Sequence, residues 1–255
     1  MHALPNWVAA PTRQARPDGR HKKLLIVVPY RDREAHLAEL LPALSAYFLR
    51  NGDPRLLPPP TICIVEQNDA LPFNRGALCN IGFALHRNEF DYVCFHDVDC
   101  VPLEADYSYA EMPSRLIADG MRRQENPQLF FGAVVAFSKP DFERVNGFGN
   151  GYFGWGYEDT DLLLRIARHH MTLEARAGVY RSLQHAASEL DDNAQIRPEV
   201  LANRALVHSR FAEPGDFWRH DGLTTLHYAL LDTQQLPKTS TQSLDVVHHR
   251  ISLKV

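Results

Sequence analysis

Short apolar runs alternate with segments of helical periodicity in the first part of the chain, and this alternation limits the possible folds more than any other feature. Apolar runs occupy residues 24–30, 61–65 and 92–95, and apolar residues recur at helical spacing between them, at 37–48 and 74–86. Such a β-α-β-α-β series predicts an α/β fold with a mostly parallel central sheet flanked by helices. Ligands of such sheets bind beyond the carboxyl ends of the strands.

The second part of the chain has a less regular pattern. Residues 130–138 predict another strand, residues 139–145 a short helix, and the segment from Glu158 a longer helix with carboxylates in its first turn. Residues 186–220 are polar and uneven, which predicts a loop. Two alternating stretches near the C-terminus predict strands at a sheet edge, Leu223–Leu231 and Leu244–Leu253.

Charge and composition argue against two broad classes of function. The net charge of -4 and the pI near 6.3 offer no basic surface for nucleic acid. No stretch approaches the roughly 20 apolar residues that cross a bilayer as a helix. We therefore expect a globular protein with no nucleic-acid partner and no transmembrane segment.

The N-terminus and the cysteines bear on organisation and location. The first 23 residues carry arginines and lysines among prolines, without an apolar signal-peptide core, which predicts a flexible basic tail before a single domain at residues 24–255. The four cysteines lack Cys-x-x-Cys spacing, and we expect buried free thiols at Cys63, Cys79, Cys94 and Cys100. With no export signal, this predicts a cytoplasmic protein.

The first candidate for chemistry is an Asp-x-Asp segment. Asp97-Val98-Asp99 directly follows the apolar run 92–95, so two hard oxygen donors stand at the end of a predicted strand. Such donors suit a divalent metal that binds the diphosphate of a sugar nucleotide. Taken alone, this spacing is also common in solvated turns.

The second candidate is the pair Glu158 and Asp159, which follows an aromatic segment broken by five glycines between residues 147 and 156. A carboxylate in this place suits proton abstraction from a sugar hydroxyl. A capped helix alone would explain the carboxylates. It would not explain the glycines around Trp155, so the two acidic segments together indicate a glycosyltransferase.

Three segments carry a resemblance to a known family. Residues 153–161, Phe-Gly-Trp-Gly-Tyr-Glu-Asp-Thr-Asp, resemble the Trp-Gly-Trp-Gly-Gly-Glu-Asp-Asp-Asp motif of the β-1,4-galactosyltransferases, a family that includes xylose-modifying members. Residues 29–33 resemble the family's Pro-Phe-Arg-x-Arg segment, and residues 73–78 its Phe-Asn-Arg-Ala-Lys-Leu segment. The resemblance implies a GT-A type nucleotide-diphospho-sugar transferase fold, with residues 24–255 as the catalytic domain.

The resemblance also implies a role for each matching residue. Asp159 would be the catalytic base, and Phe130 aligns with a family tyrosine that limits the use of N-acetylated donors. The residues implied in acceptor binding are Trp155, Gly156, Tyr157, Glu158 and Asp159. The residues implied in donor binding are Pro29, Tyr30, Arg31, Arg33, Phe73, Arg75, Asp97, Val98, Phe130 and Trp155.

The implied cofactor is Mn²⁺, with Asp99 and His185 as its protein ligands. Family members have a companion ligand, either a methionine three residues before this histidine or a histidine two residues after it. Ser182 and Ala187 stand at those positions here. A departure at this point affects how the metal shell is completed.

The implied activity is an inverting, Mn²⁺-dependent transfer of galactose from UDP-galactose to the 4-hydroxyl of a terminal xylose, glucose or N-acetylglucosamine. The partners would be the UDP-sugar donor and a saccharide acceptor. A lipid-linked acceptor, with the protein peripheral at the inner membrane face, stays open. A loop from Ala186 to about Arg204 would close over the bound donor and exclude water.

Other functions stay open at this point. One is a transferase of the same fold that uses UDP-N-acetylgalactosamine or another UDP-sugar. Another is a non-catalytic carbohydrate-binding module, against which the intact carboxylates argue. A metal-dependent hydrolase would need an open water site and a second base, and the sequence indicates neither.

Overall fold

The structure is a computed structural model that describes residues 8–9, 21–50, 59–116, 131–176, 178–184, 195–212 and 215–254. The strands are β1 (Val8–Ala9), β2 (Leu24–Tyr30), β3 (Thr61–Gln67), β4 (Tyr92–His96), β5 (Cys100–Glu104), β6 (Ser114–Arg115), β7 (Val134–Ser138), β8 (Leu173–Ala175), β9 (Val179–Ser182), β10 (Tyr228–Gln235) and β11 (Asp245–Leu253). The helices are α1 (Glu34–Arg50), α2 (Arg75–Leu85), α3 (Lys139–Arg144), α4 (Glu158–Arg168) and α5 (Pro198–Ala212), with 3₁₀ turns at Phe217–His220 and Leu223–Thr225.

Within the described residues, nine strands form one sheet in the order β1-β8-β6-β7-β4-β2-β3-β11-β10. The central strands β4, β2, β3 and β11 are mutually parallel, whereas β7 and β10 run antiparallel to their neighbours. A separate antiparallel pair, β5 with β9, lies outside this sheet. The predicted mostly parallel sheet flanked by helices is confirmed.

Helices cover both faces of the sheet, because the central strands are apolar on both sides. Ile26 and Val28 of β2 pack with α1 on one face, and Val27 packs with α2 on the other. Gly82 lets α2 approach closely, since a Cβ atom there would lie 2.5 Å from a methyl carbon of Val27. The backbone of α2 at Gly82 therefore packs directly on the side chain of Val27.

The sequence patterns located most central elements correctly. The predicted strands at 24–30, 61–65 and 92–95 and the helices between them are confirmed, as is the helix that begins at Glu158. Of the two C-terminal stretches, β10 lies at the sheet edge as predicted, whereas β11 lies inside the sheet, between β3 and β10.

The predicted loop at 186–220 is wrong for much of its length. Helix α5 occupies Pro198–Ala212, and its buried side chains include Val200, Asn203 and Val207. The inward face is narrow and includes an amide, so the segment does not show a clear apolar period. The start of α5 also falls within the stretch that was predicted to close over the donor; residues 185–194 lie outside the described residues.

A short segment of the predicted basic tail belongs to the central sheet. Val8 and Ala9, in the predicted basic tail, pair in parallel with Leu173 and Glu174 of β8, and the other residues before position 21 lie outside the described ranges. All four cysteines are buried free thiols, as predicted. In the part of the chain that the structure describes, every helix is too short or too polar to cross a membrane.

Candidate active site

The carboxyl ends of the parallel strands bring the acidic segments together. Strand β2 ends at Tyr30 and strand β4 at His96, so Arg31 and Asp97 both emerge at this edge of the sheet. The first turns of α2 and α4 lie at the same edge. This is the place where open α/β sheets bind their ligands.

Arg75 joins the two carboxylate segments. Its Nε donates to Asp97 Oδ1 at 2.6 Å, and its Nη1 lies 3.7 Å from Glu158 Oε1. The guanidinium also stacks over the ring of Phe148, with 5.6 Å to the ring centroid. The Asp-x-Asp segment and the start of α4 are thus held by one side chain, which is only 11% exposed.

Negative charge is concentrated around this arginine. Burial, together with the nearby carboxylates of Asp99 and Asp159, raises the pKa of Asp97, although Arg75 opposes the change. Burial and the charge of Asp159 likewise raise the pKa of Glu158. For Arg75, burial alone would lower the pKa, but the neighbouring carboxylates outweigh it and raise the pKa above its usual value. The site therefore favours an added cation.

Arg75 has donor capacity left for an anion. Its Nη1 and Nη2 atoms are buried, and neither has a hydrogen-bond partner among the described residues. An unpaired buried guanidinium N–H is costly unless a ligand satisfies it. Because a guanidinium can bind phosphate through paired donors, this atom pair suits a diphosphate.

Asp159 stands in the first turn of α4. Its Oδ1 accepts a hydrogen bond from the backbone N–H of Thr160 at 2.7 Å. Carboxylates are favourable at this end of a helix because the backbone N–H groups there carry partial positive charge. The side chain is partly exposed and belongs to the same electrostatic cluster as Asp97 and Glu158.

Tyr157 precedes α4 in a backbone conformation that usually belongs to glycine. Its φ is 75° and its ψ is -10°, the left-handed helical region. A side chain with a Cβ atom is strained there by roughly 1–2 kcal/mol. The position coincides with the one where the resembled motif has a glycine, the residue that adopts this conformation without strain.

We expect the Tyr157→Gly variant to be more stable than the Tyr157→Ala variant by about 1 kcal/mol, because both remove the ring but only alanine keeps a Cβ at positive φ. Urea unfolding of the two variants measures the difference. Thr160, inside α4, is the control, since there the alanine variant should be the more stable of the pair. Equal stability of the two Tyr157 variants would show that the backbone is unstrained.

The aromatic-glycine segment is fixed from two sides. Asn203 of α5 donates from Nδ2 to the carbonyls of Phe153, Trp155 and Gly156, at 3.0, 3.2 and 3.0 Å. From the other side, the N–H of Gly154 donates to the carbonyl of Phe73 at 2.8 Å. Asn203 is only 4% exposed. It is a positioning residue for this segment, and no local sequence pattern predicts that role.

Below the segment lies a buried charged network that fixes α4 and α5. Asp161 accepts from Arg165, from Arg210 Nη1 at 3.0 Å and from the hydroxyl of Tyr152 at 2.6 Å. Arg210 also pairs with Asp221 at 2.6 Å. Asp161 is fully buried, so it holds the helix in place and is not open to a substrate.

Arg31 is engaged with the loop after β3. Its guanidinium donates to the carbonyl of Leu71 at 2.8 Å, to the carbonyl of Asp69 at 3.3 Å and to that of Gln67 at 3.3 Å. It also lies over the ring of Phe73, 6.0 Å from the centroid. Its observed role is to hold this loop and the Phe73 ring at the edge of the sheet.

The remaining predicted donor residues lie nearby with different exposure. Pro29 and Tyr30 are buried at the end of β2, Arg33 is partly exposed just before α1, and Val98 is partly buried between the two aspartates. Phe130 lies outside the described residues. The roles of these residues in donor binding stay predictions.

Asp99 lies beside the chain that leads to His185. Strand β9 pairs with β5, and the N–H of Leu183 donates to the carbonyl of Asp99 at 2.8 Å. Ser182 is exposed at the end of β9, whereas His185 and Ala187 lie outside the described residues. The chain is therefore already next to Asp99 at Leu183, two residues before the predicted ligand His185.

His96 supports the Asp-x-Asp segment from inside the core. Its Nδ1 bonds to the carbonyl of Asp97 at 3.0 Å, and its Nε2 to the hydroxyl of Tyr107 at 2.9 Å. Burial lowers the pKa of His96 to about 4, so the ring is neutral at pH 7. Since a carbonyl can only accept, Nδ1 carries the proton and Tyr107 donates to Nε2.

The sequence that forms this site matches two models of known protein families. A family model described as the N-terminal region of glycosyl transferase group 7 matches residues 12–111. A second, described as the N-terminal domain of galactosyltransferase, matches residues 113–186. Together they cover the Asp-x-Asp segment, Arg75 and the start of α4. The chain belongs to the β-1,4-galactosyltransferase family.

Curated relatives extend the match. The chain is 32% identical to β-1,4-galactosyltransferase 4 of Mus musculus over 88% of its length, and 30% identical to β-1,4-galactosyltransferase 1 of Homo sapiens over 88%. It is 34% identical to β-1,4-galactosyltransferase 7 of Drosophila melanogaster over 56% of its length. The matched parts amount to 63%, 55% and 44% of these relatives, so the chain spans less than two thirds of their length.

Solved structures show the same fold. The catalytic domain of Drosophila β-1,4-galactosyltransferase 7 in complex with xylobiose superimposes with a TM-score of 0.72 at 24% identity, covering 92% of this chain and 95% of that one. A mutant of the same fly protein, solved with manganese, UDP-Gal and xylobiose, gives 0.71 at 23% identity, with the same coverage of both chains. The fold of this galactosyltransferase-family chain is therefore the GT-A type predicted from the sequence.

Proposed function

We propose that this chain is an inverting β-1,4-galactosyltransferase that transfers galactose from UDP-galactose to the 4-hydroxyl of a terminal sugar. The observation that carries the proposal is the Arg75 bridge, which places Asp97 and Glu158 on one side chain at the ligand edge of the sheet. Family membership supports UDP-galactose as the donor. The fly relative solved with xylobiose makes a xylose-type acceptor the first to test, before glucose and N-acetylglucosamine.

In the proposed reaction Asp159 takes the proton of the acceptor 4-hydroxyl as its oxygen attacks the anomeric carbon of galactose and UDP leaves from the opposite face. Glu158 and the backbone of Trp155 to Tyr157 hold the acceptor sugar. Arg75 pairs with the diphosphate through its Nη atoms, which have no hydrogen-bond partner among the described residues. Asn203 keeps the aromatic-glycine segment in the shape that this requires.

The donor set fits Mn²⁺. Asp99 and the predicted ligand His185 offer a hard oxygen and one imidazole, and Asp97 adds a second carboxylate two residues before Asp99. When bound, the ion would neutralise charge that develops on the leaving diphosphate. Of the two companion-ligand positions, the structure describes only Ser182, which offers a hydroxyl at most.

Domain organisation and location belong to the same proposal. Residues 24–255 are proposed to form one catalytic domain, and the single nine-stranded sheet, to which these residues contribute eight strands, supports this. The four buried thiols support a reducing compartment, and we propose the cytoplasm. Attachment at the inner membrane face would follow if the acceptor is a lipid-linked glycan.

The test is a donor and acceptor screen with Mn²⁺, read by mass spectrometry. UDP-galactose, UDP-glucose and UDP-N-acetylgalactosamine are each offered with xylosides, glucosides and N-acetylglucosaminides. The expected product is a galactosyl-β-1,4-linked disaccharide, with the linkage assigned by NMR. Transfer from UDP-N-acetylgalactosamine alone would favour the same-fold alternative, and no transfer or donor hydrolysis with any donor would favour a non-catalytic module.

A further inference from the structure

Three buried metal-ligating side chains meet at the side of the sheet that α2 covers, apart from the candidate active site. Cys63 on β3, His86 just after α2 and His249 on β11 offer one sulfur and two ring nitrogens, and these three atoms all lie within 4.8 Å of one another. Cys63 is 0% exposed, and His86 and His249 are each 6% exposed. Buried polar side chains of this kind need partners.

The fold explains how residues so distant in sequence meet. Strands β3 and β11 are parallel neighbours, with Cys63 opposite Val247 and His249 opposite Val65. Since side chains alternate along a strand, Cys63 and His249 share the face that α2 covers. His86 ends α2 above this point.

Hydrogen bonds orient both imidazoles with Nε2 inward. His86 Nδ1 lies 2.8 Å from Glu89 Oε2, and His249 Nδ1 lies 2.9 Å from Thr233 Oγ1. The two Nε2 atoms face each other at 2.9 Å. Metal-binding histidines commonly use their second ring nitrogen in this way, with a carboxylate or another oxygen as the partner.

The protonation states of these side chains are compatible with metal binding. Burial, with a contribution from His86, lowers the pKa of His249 to about 4, so its ring is neutral at pH 7. Burial raises the pKa of the Cys63 thiol above its usual range, so the sulfur keeps its proton until a cation displaces it. Without a metal, one Nε2–H can donate to the other Nε2.

We propose that Cys63, His86 and His249 form a structural site for Zn²⁺ or a similar late first-row ion. One thiolate and two imidazoles are the soft and intermediate ligands that Zn²⁺ selects, unlike the carboxylates proposed to hold Mn²⁺. On binding, the ion takes a lone pair from each Nε2 and from the Cys63 sulfur, the thiol proton leaves to solvent, and both Nδ1–H groups donate outward. Water can fill the fourth position from the side of Glu89, whose side chain is 65% exposed.

The site would attach the C-terminal strand to the centre of the fold. Its three ligands come from β3, from the end of α2 and from β11. An ion that binds the folded chain and not the unfolded one stabilises it by mass action. The site therefore acts on stability, and it is independent of the proposed transfer reaction.

The experiment uses the full chain, freed of metal with a chelator and titrated with Co²⁺ and Zn²⁺ without UDP. We expect one thiolate-to-cobalt charge-transfer band that Zn²⁺ abolishes and Mn²⁺ does not, and release of one proton for each ion bound. His86→Gln, His249→Gln and Cys63→Ser should each lower Zn²⁺ affinity by at least about a hundredfold. Zn²⁺ should raise the Tm of the parent and not of these variants.

Two variants are matched controls. His248→Gln removes the adjacent histidine, which pairs with Glu66 at 2.9 Å, and Cys94→Ser removes another buried thiol. Both should keep the cobalt band, and so should Asp99→Asn, which alters the proposed Mn²⁺ site. A parent without the band and with an unchanged Tm in Zn²⁺ would mean a hydrogen-bonded histidine pair only. If Cys63→Ser folds poorly, loss of the band in folded His249→Gln decides the question, and a retained band overturns the proposal.

Discussion

Asp159→Asn should reduce galactosyl transfer by at least about a hundredfold, the usual range for the loss of a general base. The substitution removes the basic oxygen and almost nothing else. Asparagine keeps an Oδ1 that can accept from the N–H of Thr160, the contact that Asp159 makes at 2.7 Å. The start of α4 should therefore be preserved, and UDP should bind as in the parent.

Turnover with saturating donor and acceptor gives the effect, and calorimetry with UDP and Mn²⁺ gives donor binding. Asp245→Asn is the matched control, because Asp245 is exposed and pairs only with Lys238 among the contacts described. Its turnover should equal that of the parent. Near-parental turnover of Asp159→Asn would remove Asp159 from the mechanism, whereas loss of UDP binding would assign it to the donor site.

The part of the site at the strand ends could be predicted because local pattern determines it. In a β-α-β series, a short apolar run such as 92–95 predicts a buried strand. The carboxylates that follow it are therefore expected at the carboxyl end of that strand, where ligands bind. The Asn74-Arg75 pair begins α2, with Asn74 capping the helix through a hydrogen bond to the N–H of Ala77 at 2.9 Å. Arg75, the first residue of α2, therefore lies at the same edge of the sheet.

The supports of the site could not be predicted, because they depend on contacts between distant segments. Asn203 reaches the carbonyl of Phe153 across 50 positions, and its helix shows only a narrow buried stripe. The same holds for His86 and His249, which are 163 positions apart. A lone amide or histidine in such a segment carries no local signal, and only the packing of α5 and β11 gives it a partner.

Two departures from the family motif have a clearer meaning with the structure. Tyr157 stands where the family motif has glycine, and it has the left-handed conformation that glycine adopts without strain. Thr160, where the family has aspartate, stands in the first turn of α4 and donates its N–H to Asp159. Neither change removes a group that the proposed chemistry needs.

Arg75→Met should have the second large effect, on stability and on donor binding together. The variant keeps an unbranched side chain but leaves Asp97 and Glu158 without their shared cation. Removing one partner of a buried ion pair costs about 3–5 kcal/mol, because the other charge stays buried and uncompensated. Since Asp97 is 27% exposed, we expect the lower end of that range.

Urea unfolding measures the stability, and calorimetry measures UDP affinity, which should fall at least about tenfold through the loss of charge-assisted hydrogen bonds. Arg87→Met is the control: Arg87 pairs with Glu143 at 2.8 Å but is 60% exposed, so its loss should cost less than about 1 kcal/mol. Arg75→Lys separates charge from geometry, because lysine restores a cation without the planar fork that binds a diphosphate. It should recover stability more than UDP affinity. If Arg75→Met unfolds at the parental urea concentration and binds UDP as tightly, the bridge between the two acidic segments does not hold this site together.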